Sequence, residues 1–186
     1  MSATSTYMTF LMHKRTIEEI EKEISIIQEK INSAQMNEEK TGLEAEKTIL
    51  ENKKSNMKDG YEWIKLVDIT EFPDIGTDPE ILETTTLSDN MQTFVIGIHG
   101  NENMTFNANY DHNTYIKLKD LEGKTKCYSV GFGGAEDSST SNIIPNGKDG
   151  KFTFDGQLSL RVTGGGVNGV RGMSISIAPS SVIHSE

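Results

Sequence analysis

Apolar side chains fall at Ile17, Ile20, Ile24, Ile27, Ile31 and Ala34, in steps of three and four that draw one seam along an α-helix. Met36, Leu43, Leu50 and Met57 then recur every seventh position, but out of phase with the first seam. The break over residues 33–37 predicts an antiparallel helical hairpin across residues 15–59, not one rod. Thr16 with Glu19, and Thr41 with Glu44, have the spacing of capping boxes. Gly42 weakens the start of the second helix by about 1 kcal/mol. Lys54 and Lys58 suit a helix C-terminus and Gly60 a cap. Each seam is too thin to hold two helices together unaided. Two readings stay open: a solvated charged appendage, or an element that docks on a neighbour.

Outside this segment the period changes to two. Residues 7–13 read as a first strand and 63–69 as a second. Residues 84–86 and 92–98 are rich enough in β-branched and aromatic side chains for strands. Met104, Phe106, Ala108 and Tyr110 alternate with polar neighbours. A short amphipathic helix is expected over 113–122, capped by Asn113 and ended by Gly123. Strands follow at 124–132, 152–163 and 170–178, while 131–150 reads as a surface loop. The fold class is mainly β: a sandwich or barrel with one short helix, built from residues 1–14 and 60–186 and interrupted by the helical hairpin.

At 186 residues the chain suffices for one cored domain and an appendage. Hydrophobic content is 34%, low enough that part of the chain contributes to no core. A net charge of −10 opposes tight nucleic-acid binding, which needs Lys and Arg against phosphate. The helical segment carries 11 acidic and 8 basic residues, so most of the negative charge lies elsewhere. A single cysteine, Cys127, excludes an internal disulfide and suits a reducing compartment. The basic residues near the N-terminus follow the apolar stretch at 7–12, the wrong order for a signal peptide, and the stretch is too short for a membrane span.

Candidate chemistry is sparse. Residues 164–169 satisfy G-x-G-x-x-G, but strand pattern follows where a dinucleotide site needs a helix, so a hairpin turn is the better account. Asn107, Asn109, Asp111 and Asn113 begin like a calcium loop, yet His112 replaces the glycine and Leu118 the final glutamate. The four histidines stand singly. No catalytic residues, cofactor or metal ligands are expected, and the chain is not read as an enzyme.

The long polar connection at 72–89, FPDIGTDPEILETTTLSD, separates two strand-like segments and is stiffened by Pro73 and Pro79. With FTFDGQLSLRV, GGGVNGVR and the ending IAPSS it resembles the major tail tube protein of long non-contractile-tailed bacteriophages, in family order over residues 60–181. The resemblance implies a virion structural protein that assembles in the host cytoplasm into stacked hexameric rings. Its partners would be copies of itself, a tape measure protein in the lumen, and tail terminator and distal tail or baseplate proteins. DNA would pass without specific binding, and no membrane is involved. It also implies that the connection reaches beyond its own subunit, through Phe72, Pro73, Asp74, Ile75, Pro79, Leu82, Thr85, Leu87 and Asp89. The helical hairpin departs from that pattern, and its thin seams suggest an outer-wall element that stiffens the tube. Two other readings remain: a receptor- or carbohydrate-binding module at the tail tip with a helical stalk, and the tube of a phage-derived bacteriocin or injection device.

Overall fold

The computed structural model describes residues 9–34, 37–57, 59–136, 143–167 and 169–186. Tyr7 and Met8 of the expected first strand, Met36 and Lys58 of the hairpin, residues 137–142 and Asn168 lie outside these. The chain forms two compact units, one of His13–Ile64 and the other of Lys65–Glu186 with the chain up to Met12.

Most of the strands lie in the second unit. One sheet takes the order β2 (Tyr61–Val67), β1 (Thr9–Thr16), β7 (Thr125–Phe132), β10 (Lys151–Thr163), β11 (Gly172–Pro179), β6 (Met104–Asn109), β3 (Ile69–Glu71), with β12 (His184–Ser185) also on β10. Strands β2 and β3 stand at opposite ends of this order but are consecutive in the chain, separated by Asp68 alone. The chain therefore passes from one end of the strand order to the other across a single residue. This corrects the single strand expected at 63–69: the chain must leave one margin and enter the other, and Asp68 is where it turns.

Strand β10 is the spine. One edge pairs with β7, Phe154 opposite Tyr128; the other pairs with β12 at Phe152 and with β11 from Gly156 onward. The core gathers Leu11, Phe106, Tyr128, Val130, Phe154, Leu158, Ile175 and Ile177, sealed by Leu118 of α3 (His112–Lys119). The alternation at 104–110 and 173–177 thus marks inward positions, although Ser174 is also buried.

Several expectations shift. Helix α3 is capped by Asp111, not Asn113: the Asp111 carboxylate accepts from the Thr114 amide at 2.8 Å and its hydroxyl at 2.7 Å. That also engages the oxygen the calcium-like spacing had offered. Within the expected loop at 131–150, β8 (Gly134–Glu136) pairs with β9 (Ile143–Pro145), and Gly134 leaves room for the Ile143 side chain and the Phe10 ring beside it.

In the first unit, α1 (Ile17–Ser33) starts after Thr16, whose amide donates to Glu19 Oε2 at 3.1 Å. Helix α2 (Asn37–Asn56) begins four residues before the expected Thr41 cap, with Glu38 and Glu39 in its first turn, where the helix dipole favours them. Gly42 is accordingly interior. Gly60 adopts φ 75° in the turn before β2, beyond the helix end, and does not cap it. Its carbonyl accepts from the Ile17 amide at 3.3 Å, so the hairpin leaves and returns at one point.

Candidate assembly surface

The connection at 72–89 is not one loop. Its first part is anchored in its own subunit: Phe72 and Ile75 pack on the β core, and Phe72 meets Phe132 edge-on at 5.6 Å. Pro73 and Asp74 border a cleft of about 190 Å³ with Thr77, Asn101, Glu102 and Ile183. That is small beside the several hundred cubic ångströms usual for small-molecule sites.

The second part is a two-stranded ribbon, β4 (Pro79–Glu83) against β5 (Phe94–His99). The Thr77 hydroxyl donates to the Gly100 carbonyl and ties its base. The strand expected at 84–86 is the ribbon's tip instead. There the threonine side chains bond locally: Thr85 Oγ1 accepts from the Thr93 amide at 3.1 Å, and Asp89 accepts from both the amide and hydroxyl of Thr86. These two bonds hold the Asp89 carboxyl below its ordinary range, the backbone bond most. Strand β4 forms where polar loop was expected, paired with β5, and Pro79 is tolerated because it stands at the strand's start.

The ribbon's side chains are apolar on both faces. Ile81 stands opposite Ile96, with Phe94 on the same side; Leu82 stands opposite Val95 on the other. All five are exposed, Ile96 at 70%, and so are Ile98 at 84%, Met91 and the fully bare Leu87. Strands apolar on both faces belong to sheets covered on both sides. A lone two-stranded ribbon is marginal in water, and covering each such side chain is worth about 1.5–3 kcal/mol. Nothing within the described chain covers these.

In fold, the chain is similar to a protein in the structure of the anti-feeding prophage baseplate, six-fold symmetrised, with a TM-score of 0.52, 7% identity, and 100% of this chain and 97% of that one covered. That likeness establishes the fold. The sheath/tube terminator of an extracellular contractile injection system matches at a TM-score of 0.47 with 8% identity over 64% of this chain and 86% of that one. The anti-feeding prophage tube-terminating cap matches at 0.45 with 10% identity over 69% and 83%. Scores this low add nothing to the fold argument. No protein-family model matches the sequence, and neither does any curated protein.

The structure thus divides the expected contact residues. Phe72 and Ile75 serve the core; Leu82 and Leu87 are exposed on the ribbon; Thr85 and Asp89 shape its tip. Sequence reasoning missed Ile81, Phe94, Val95, Ile96 and Ile98. The run Phe94-Val95-Ile96 marks a strand, but only three-dimensional placement shows that neither face is covered. Of the expected helical seam, Ile20, Ile27 and Leu50 are buried together, with Ile24, Ile31, Leu43 and Met57 packed against them; Ile17 is half-buried and outside the cluster. Arg15 braces the hairpin base, its guanidinium meeting Glu23 at 2.9 Å and, through Nε, Glu62 at 2.9 Å. Among the described residues no group of acidic, histidine and cysteine side chains is placed to hold a metal, and no helix is long and apolar enough to cross a membrane.

Proposed function

We propose that this protein is a self-assembling structural component of a phage-type tail, whose copies form hexameric rings that stack into the tail tube. The observation that carries the reading is the β4–β5 ribbon, apolar on two faces and rooted by Phe72 and Ile75 in a folded β core. Such a ribbon is completed by insertion against a neighbouring copy. The full-length likeness to a chain in a six-fold symmetrised baseplate supports a ring of six.

In this reading residues 1–14 and 60–186 build the ring, and 15–59 form an added helical element on the outer wall. The acidic balance of the β portion suits a bore through which DNA slides without being held, since a basic lining would bind phosphate at every ring. Partners are further copies, a tape measure protein inside, and terminator and distal tail proteins at the ends. The location is the virion tail, assembled in the host cytoplasm.

The test is Phe94→Asp with Ile96→Asp, two exposed positions. Concentrated wild-type protein should give rings and tubes in negative stain and fast-sedimenting species; the variant should remain folded but unassembled. Tubes from both proteins, or a wild type that never associates, would remove the proposal. A second reading, a single ring at a tail end, is favoured by the match being to a baseplate over the whole length of the chain. Discrete rings without tubes would select it.

A further inference from the structure

The two helices of the hairpin repeat one another. Residues 20–30 and 43–53 align without gaps: Glu21 with Glu44, Glu23 with Glu46, Ile26 with Ile49 and Lys30 with Lys53 are identical, and Ile20 and Ile27 match Leu43 and Leu50. The last four pack in or beside the inter-helix seam. At 3.6 residues per turn, Ile26 and Ile49 each lie roughly a third of a turn round from that seam, in the same rotational sense. Two antiparallel helices with facing seams are related by a two-fold normal to their common plane, which preserves that sense. Both isoleucines therefore lie on one broad face of the hairpin.

Their level is fixed by cross-helix bonds. Lys47 Nζ donates to Gln28 Oε1 at 2.8 Å and Lys54 meets Glu21 at 2.6 Å. Each step up α1 is thus a step down α2, which brings Ile26 level with Ile49. The polar bridges occupy the opposite face. Ile26 and Ile49 remain 51% and 57% exposed.

Around this pair the charges form a square. Glu23 and Lys53 flank it toward one end, Lys30 and Glu46 toward the other, and all four residues are exposed, Glu23 through the carboxylate that also meets Arg15 at 2.9 Å. Two such faces brought together by a two-fold, along or across the helices, set every Glu opposite a Lys. Self-complementarity of this kind is what an isologous contact requires.

We propose that this face pairs with the same face on a second copy of the chain, Ile26 and Ile49 meeting at the centre and Glu–Lys pairs closing the corners. Single exposed ion pairs contribute little, so each contact is weak and gains force from repetition in an assembly. The inference does not depend on the tube reading, and the test is made on full-length chain carrying Phe94→Asp and Ile96→Asp, so that the β ribbon contributes no contact.

In that background, sedimentation at low salt should show reversible dimers. Lys30→Glu with Lys53→Glu makes the square wholly acidic, and Glu23→Lys with Glu46→Lys wholly basic. Each variant should dimerise at least tenfold more weakly, and an equimolar mixture of the two should recover association. A parent that stays monomeric, variants that associate as the parent does, or a mixture no better than its components would overturn the proposal. If either charge set loses helix by circular dichroism, Ile26→Ser with Ile49→Ser poses the same question at exposed positions, and undiminished association there overturns it.

Discussion

Gly156 has no room for a side chain beside Ala178: a Cβ on it would come within 2.8 Å of the Ala178 carbonyl oxygen and equally close to Ile177 Cγ2. This is where β10 exchanges β12 for β11 along one edge, with the Ser180 amide donating to the Asp155 carbonyl at 2.7 Å. A backbone oxygen in a paired strand has little room to retreat. Gly156→Ala should cost about 1–3 kcal/mol in urea unfolding, whereas Gly164→Ala, with open space around it, should stay within about 0.5 kcal/mol of the parent.

Tyr128 presents the opposite case. Its ring is fully buried against Phe154, yet its hydroxyl finds no hydrogen-bond partner among the described residues. An unsatisfied buried hydroxyl costs about 1–3 kcal/mol, so Tyr128→Phe should raise stability, by about 1 kcal/mol. Burial pushes the phenol up to about 12 from 10.0. The folded form then disfavours the phenolate, and stability from this group is present below pH 10.0 and lost as pH rises toward 12. The Phe variant should lack that alkaline loss, which chemical unfolding across this range would reveal.

The cap of α3 sets an acid limit. The Thr114 hydroxyl, then its amide, hold the Asp111 carboxyl below its ordinary value of 3.8. A depressed folded value means that the contribution is complete above about pH 4 and disappears as pH falls through the lower folded value. Asp111→Asn, itself a good cap, should leave stability near neutrality little changed while flattening the acid limb of the unfolding curve. An unchanged acid limb would refute the assignment.

Because the Ile17 amide reaches the Gly60 carbonyl, residues 17–59 should be replaceable by a short Gly-Ser turn. We expect the β unit to keep its cooperative melt and rings to form, with tubes shorter or more flexible in electron micrographs. Loss of the β melt would show that the helices are needed for folding, and unaltered tubes that they do not stiffen the assembly.

Where a segment's environment follows from its own period, the sequence was legible: the seam of α1, the alternation at Met104–Ala108 and the long β10 all appear near their expected bounds. Boundaries set by tertiary partners were not. Asp68 breaks a continuous strand pattern because the chain there passes from one end of the strand order to the other. Pro79–Glu83 becomes a strand only because β5 lies beside it. The ribbon's exposed faces were hidden for a related reason: Phe94, Ile96 and Ile98 carry the same pattern that buried strands carry, and composition does not say whether a covering layer comes from the same chain.

The junction at Asp68 has a mechanical corollary. Tension applied at β2, one end of the strand order, passes to β3, the other end, through covalent bonds at Asp68, not solely through rows of hydrogen bonds that unzip one after another. Pulling β2 away from β3 thus meets the covalent backbone before any ladder of hydrogen bonds can give way.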